Sequence, residues 1–223
     1  MNQAFESNSR HDTKDRILDA AERLFADHGF AATSLRQITT EAAVNLAAVN
    51  YHFKSKEALL SAVIERTLLP INRRRLELLD EIEAGLKGRK PKLEAVVRAF
   101  VRPAFEAWAS KAKRMVHFPR LMARVMAEPG EWAAPVMVPA IKAIGDRFAP
   151  VFQQALGVKD KTTVLWCVQF SVGCMTRCLS APEFIRTITG VKLPEETMEQ
   201  ALDRAVSFIV GGMQALVERD KSL

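Results

Sequence analysis

Residues 33–57, TSLRQITTEAAVNLAAVNYHFKSKE, leave this chain little freedom in how it folds. Ser34 followed three residues later by Gln37 reads as a capping box, and Ile38 and Ala42 continue one buried side, so a short helix starts there. Ala43-Val44-Asn45 forms a tight turn, and Asn45 caps a second helix, Leu46 to Phe53, whose Val49 and Phe53 point inward at i, i+4. Ser55 then caps a third, with Leu59, Val63 and Ile64 as its core positions. The second helix carries almost no charge and few large side chains on its outer face. A helix that slides into a DNA groove looks like this; one that only needs to be soluble does not.

Helical spacing extends in both directions. Upstream, Ile17, Ala20, Ala21, Leu24 and Phe25 form one apolar stripe, with Asp12, Thr13 and Asp15 as cap and first-turn acids and Gly29 as the stop. Asp19, Glu22 and Asp27 lie off that stripe. Residues 1–12 are polar and aperiodic, which predicts a flexible tail. Pro70 interrupts the periodicity and sets the expected boundary between a domain at 13–69 and a larger one at 70–223. Beyond it, helices are expected at 71–84, 92–110, 112–127, 132–156, 161–180 and 195–218. Breaks are expected at Gly85 to Pro91, Pro129-Gly130, Gly157 to Asp160 and Pro182 to Pro194. No alternating apolar–polar run bounded by hairpin turns occurs. The fold class is therefore all-α: an N-terminal three-helix, helix-turn-helix domain plus a larger helical domain.

Charge adds less than its total suggests. The net value is +6, yet residues 1–69 hold 8 Lys/Arg against 9 Asp/Glu. The excess lies in the middle, around Arg73-Arg74-Arg75 and Lys87 to Lys92, where solvated surface is the default reading and flanking phosphate contacts the alternative. DNA affinity must then come from a few placed groups. No leader pattern or membrane-length apolar run is visible, and three cysteines fit a reducing cytoplasm. The chain shows no nucleophile elbow, zinc-helix motif or phosphate loop, so an all-α enzyme has little support and no cofactor or metal is expected.

In a helix-turn-helix the first helix braces on the backbone and the second offers its first turns to the major groove. Here Leu46, Ala47, Ala48 and Asn50 face outward: small side chains allow close approach, methyls can meet thymine, and Asn50 can pair with adenine. Arg36 can fork onto guanine, while Thr33, Tyr51, His52 and Lys56 lie where donors reach phosphates. The plainer reading of Tyr51, His52 and Phe53 is a packed aromatic corner.

The run TSLRQITTEAAVNLAAVNYHFKSKEALL resembles the DNA-binding domain of the tetracycline-repressor (TetR) family of transcriptional regulators, from about Thr13 to Leu60. The wording VNLAAVNYHF is similar to the fatty-acid-responsive branch of that family. The resemblance implies base-facing roles for Arg36, Leu46, Ala47, Ala48 and Asn50, and phosphate contacts for Thr33, Tyr51, His52 and Lys56. One departure stands out: the family usually has glycine where this chain has Ala43. If that residue takes φ > 0, alanine costs roughly 1 kcal/mol relative to glycine.

Beyond residue 70 the resemblance implies a ligand-binding domain and a homodimer closed by two helices per subunit. Segments 161–180 and 195–218 suit that role: both are strongly apolar and carry Gly173 and Gly211-Gly212. Val164, Val168, Phe170, Met175, Ala201, Ala205, Phe208, Ile209 and Leu216 would be shared between core and interface. For a small hydrophobic effector the expected residues are Trp108, Met115, Phe118, Met122, Met126, Phe148, Phe152, Trp166 and Phe170, with Arg177 for a carboxylate or phosphate and Arg120 and Arg124 as further candidates. Residue by residue, ordinary core and solvated arginine are the plainer readings. Cys167, Cys174 and Cys178 share roughly one helix face; buried cysteine as a small hydrophobe is commoner than a redox or metal role.

The expectation is a cytoplasmic, homodimeric repressor that binds double-stranded DNA at an inverted repeat and is released by an apolar effector, a fatty acid or acyl thioester. It is not read as an enzyme, and no membrane partner is expected. The alternatives are an activator or a redox-sensing regulator using Cys167, Cys174 and Cys178.

Overall fold

Gly29 sets the end of the first helix: at φ +84 its N–H donates to the Phe25 carbonyl at 3.0 Å, closing α1 (Asn2–His28). The computed structural model describes residues 2–110, 114–127, 130–191 and 196–221. Helices α2 (Leu35–Glu41) and α3 (Leu46–Phe53) follow, then α4 (Lys56–Gly85), α5 (Leu93–Ala109), α6 (Arg114–Ala127), α7 (Ala133–Leu156), α8 (Lys161–Thr189) and α9 (Met198–Lys221). No strand occurs among the described residues. The all-α expectation holds.

Three expectations shift. Residues 2–12, expected as a flexible tail, are helical, because Gln3, Ala4, Glu6 and Arg10 favour helix and no glycine or proline intervenes before His28. Pro70 does not end its helix; α4 runs through it, with Pro70 itself exposed. Likewise α8 continues beyond Pro182 to Thr189, where Gly190 at φ +68 supplies the stop that the sequence seemed to place at the proline.

The chain divides into two units. The first comprises residues 1–69 together with 113–140, and the second comprises 70–112 with 141–223. Pro70 thus opens the second unit, while 113–140 belongs with the N-terminal segment rather than with the remainder of 70–223. The reason is apolar matching. Leu121 and Val125 of α6 and Val136 and Met137 of α7 share one core with Ile17, Phe25, Ile38, Val49, Leu60 and Ile64. Each such side chain contributes about 1.5–3 kcal/mol when fully buried. Polar contacts fix the register: Arg124 Nε and Nη2 donate to the Ala26 and Asp27 carbonyls at 2.8 and 2.9 Å, and Arg120 pairs with Asp27 at 3.0 Å. A cation there satisfies the open carbonyls of α1 and complements its dipole.

In the second unit α5 and α8 both pack on α9. Phe100, Phe148 and Phe152 form a tilted trio with ring centroids 5.3 to 6.0 Å apart. Around them pack Leu79, Val96, Phe105, Val164, Leu202 and Ile209. Arg102 grips Glu199 with two 2.8 Å bonds and Arg98 reaches Asp203 at 2.6 Å, both from α5 to α9. Among the described residues no helix is long and apolar enough to cross a membrane.

Candidate nucleic-acid interface

The α2–turn–α3 hairpin is fixed from within. The Ser34 hydroxyl accepts from the Gln37 N–H at 3.2 Å while Gln37 Oε1 accepts from the Ser34 N–H at 2.7 Å, completing the capping box. Asn45 Oδ1 accepts from the Ala48 N–H at 2.8 Å and caps α3. Between them Ala43 adopts φ +51, the left-handed conformation that glycine would take without strain. α1 braces this turn: Arg16 donates to the Ala43 carbonyl at 3.2 Å, and Arg23 pairs with Glu41.

Val49 and Phe53 are buried, which turns the opposite side of α3 outward. Leu46, Ala47, Asn50 and Tyr51 are exposed there, Tyr51 at 71%, with Arg36 exposed on α2. All five are exposed and none is an acid. Ala48 differs: it is half-buried and packs on the core, because i, i+4 spacing aligns it with the half-buried His52 at the edge of the buried face. His52 is half-buried, with Tyr51 edge-on to it at 5.2 Å.

Two expected phosphate contacts turn inward. Thr33 is 1% exposed, and its hydroxyl donates to the Gly29 carbonyl at 2.8 Å, with that of Leu24 at 3.2 Å. Lys56 Nζ donates to the carbonyls of Phe30 and Thr33, both at 2.9 Å, and lies 4.3 Å from the centre of the Phe30 ring. Open carbonyls at the end of α1 and in the following loop compete for these donors and hold them. What α4 still offers at its start is its backbone, with Ser55 capping the Ala58 N–H at 3.0 Å. Lys54, which the sequence reading does not nominate, is exposed at the C-cap of α3 with φ +61. Its signal was a cation between two helices that both need caps.

Four acids of this unit pair with arginines. Arg66 bridges Asp19 and Glu22 at 2.7 Å each, and Glu22 is buried. Glu41 and Asp27 hold arginines as above. Part of the charge that would repel a phosphate backbone is thus paired, while Asp12 and Glu57 stay exposed.

The ten residues expected at an effector site are divided between the two units. Phe118, Met122 and Met126 belong to the first unit, where Met122 packs on the core and Met126 is exposed. Phe148 and Phe152 are fully buried in the second core, Trp108 lies half-exposed near the end of α5, and the side chain of Met115 is outside the described residues. Trp166 and Phe170 stack at 5.5 Å on the exposed side of α8, with Arg177 exposed further along. An open cleft of about 600 Å³ in the first unit, lined by Arg16, Glu22, Arg23, Ala43, Val116 and His117 among others, contains none of the ten. Arg120 and Arg124 are held by α1. Arg75, read as part of a solvated basic run, is buried.

Of the residues expected to be shared between core and interface, Val164, Ala205 and Ile209 are buried, and Val168, Met175, Ala201 and Leu216 half-buried. Phe170 and Phe208 are exposed, at 59% and 73%, beside exposed Leu165 and Trp166. Cys167 is buried, Cys174 half-buried and Cys178 exposed. A hydrogen bond from Cys174, with Arg204 adding its charge, draws the Cys178 thiol down to about 7, while the same bond and burial push Cys174 up. No cluster of metal-ligand residues exists among the described residues.

Comparison with known proteins agrees with this geometry. Residues 17–63 match the family described as bacterial regulatory proteins, tetR family, and residues 98–212 match the tetracyclin repressor-like C-terminal domain. Among curated relatives, the uncharacterized HTH-type transcriptional regulator YerO of Bacillus subtilis is 39% identical over 83 residues, 37% of this chain and 27% of that protein. The HTH-type transcriptional repressor NemR of Escherichia coli is 31% identical over 81 residues, 36% of this chain and 41% of its own. The chain thus spans about a quarter of the length of the first curated relatives it matches. SmeT, the repressor of the Stenotrophomonas maltophilia multidrug efflux pump SmeDEF, shares the fold with a TM-score of 0.57 at 19% identity, over 90% of this chain and 91% of its own. Both halves of the sequence therefore lead to one conclusion: the chain belongs to the tetR family of bacterial regulatory proteins, the helix-turn-helix transcriptional regulators.

Proposed function

We propose that this chain is a homodimeric one-component repressor that reads an inverted-repeat operator with α3 and releases it when a small apolar effector binds the second unit. The observation that carries the reading is the exposed, acid-free set Arg36, Leu46, Ala47, Asn50 and Tyr51 on a hairpin capped at both helices. Two such faces in a two-fold dimer would meet half-sites about 34–36 Å apart. The exposed apolar side chains Leu165, Trp166, Phe170 and Phe208 of α8 and α9 support that reading, since a two-fold dimer would cover them. Effector and DNA then bias one two-state equilibrium, so each weakens the other by the same factor. The relative SmeT has been solved as a complex with triclosan, which favours a small, largely apolar molecule.

The test is selection of bound duplexes from a random pool, followed by footprinting and transcription from a promoter carrying the selected site. A protected two-fold repeat whose occupancy lowers transcription supports the reading. Protection without symmetry, or raised transcription, removes the dimer or the repressor element respectively.

Cys178 favours a second reading, oxidant sensing, because it is exposed and holds a thiol drawn down to about 7. Triple Cys167, Cys174 and Cys178→Ser with an unchanged oxidant response of operator binding dismisses it.

A further inference from the structure

Arg75 of α4 is 7% exposed in the second unit, yet among the described residues no carboxylate answers its charge. Its Nε donates to the Phe100 carbonyl at 2.7 Å, one Nη1–H goes to Asn72 Oδ1 at 2.9 Å, and one Nη2–H meets Met175 Sδ at 3.6 Å. The guanidinium lies over the Phe100 ring, 4.6 Å from its centre. Every one of these partners is neutral. The acids on the same stretch of helix are engaged elsewhere: Glu77 and Glu81 by Arg74, and Asp80 and Glu83 by Arg147.

A guanidinium has five N–H groups, and three are placed here. The remaining two, one on each terminal nitrogen, find no protein acceptor among the described residues. Thioether sulfur is the weakest acceptor a protein offers, and methionine rearranges easily. The edge formed by Nη1 and Nη2 is the edge a carboxylate grips with two parallel bonds. For packing alone, a methionine or leucine at this position would serve the core at least as well as a buried charge.

We propose that Arg75 is the head-group residue of the effector site, and that the effector is an amphiphile with one free carboxylate. The carboxylate displaces the Met175 sulfur and accepts from Nη1 and Nη2. The Phe100 ring beneath the guanidinium is the first apolar surface the tail meets, and the Phe148 and Phe152 rings packed behind it have to part to admit the rest of the chain. A carboxylate ester or thioester keeps the tail but loses the charge, so it binds more weakly. This inference rests on the apolar-effector reading above and specifies the ligand class it takes.

The test is calorimetric titration of the full chain with dodecanoate, dodecanol and the N-acetylcysteamine thioester of dodecanoic acid, all below micellar concentration. Dodecanoate is expected to bind the wild type at least roughly tenfold tighter than either neutral ligand, a preference that a desolvated bidentate pair supplies. Arg75→Met brings the three to within about twofold, and Arg75→Lys, a single-point donor, retains a reduced preference. Arg75→Met removes a buried charge and is expected to melt no lower than the wild type. Should that variant misfold, the head-group comparison on the wild type decides alone. Equal affinities for dodecanoate and dodecanol in the wild type, or a preference that survives Arg75→Met, overturns the assignment. If a neutral ligand binds and releases operator while dodecanoate has no advantage, the assignment fails and the apolar-effector reading stands. If none of the three binds and operator complexes persist, both fail.

Discussion

Ala43 is where a single side chain is most at odds with its backbone. At φ +51 its Cβ crowds the carbonyl, so Ala43→Gly is expected to stabilise the protein by about 1 kcal/mol in urea denaturation, the relief outweighing glycine's greater freedom when unfolded. On α3, Asn50 and Tyr51 separate two kinds of contact. Asn50→Ala should cost about 1–3 kcal/mol at the selected operator and little on random duplex, whereas Tyr51→Phe should weaken both alike, as paired mobility-shift titrations would show. Cys178 carries a pH signature. Its thiolate is held by the Cys174 hydrogen bond and Arg204, so alkylation by iodoacetamide should rise as pH increases through about 7. Cys174→Ala removes that bond and should shift the midpoint upward, read by mass spectrometry of the labelled peptide. Sequence reading served well where a residue acts on its immediate neighbours: the Ser34–Gln37 box, the Asn45 cap and the Gly29 stop are all local patterns. It does not reveal the internal bonds of Thr33, Lys56 and Arg75, because each reaches a carbonyl or ring distant in sequence.

The same division holds for elements. α3 was legible to the residue, since eight residues between a capping asparagine and a buried phenylalanine admit little else. α8 was not, because proline marks a helix end only when no later stop is available, and Gly190 was available. The first turn of α4 does more than start a helix. Through Lys56 it ties down the Phe30 and Thr33 carbonyls, and Phe30 in turn meets Trp132 with centroids 4.4 Å apart. Lys56→Met keeps the stem and deletes those bonds. It is expected to cost about 1–3 kcal/mol of stability while leaving the salt dependence of operator binding unchanged, since the ammonium is spent inside the protein. A slope lowered by roughly one in log K against log salt would instead make Lys56 a phosphate ligand.

For the whole molecule, fold class and the helix order were read directly from spacing, but the assignment of α6 was not. Its attachment to α1 depends on Arg124 meeting carbonyls nearly a hundred residues earlier, a pairing that leaves no periodic trace. The proposed dimer makes one further demand. Phe170→Asp with Phe208→Asp replaces exposed apolar groups on α8 and α9, so folding should be little changed while sedimentation shows a monomer and operator affinity falls sharply. Because the N-terminal unit borrows Leu121, Val125, Val136 and Met137, its apolar floor stays uncovered while only the first seventy residues have left the ribosome. A nascent chain of this protein cannot close its helix-turn-helix unit first and its second unit later; synthesis must proceed well past the middle of the polypeptide before the first core has all its side chains.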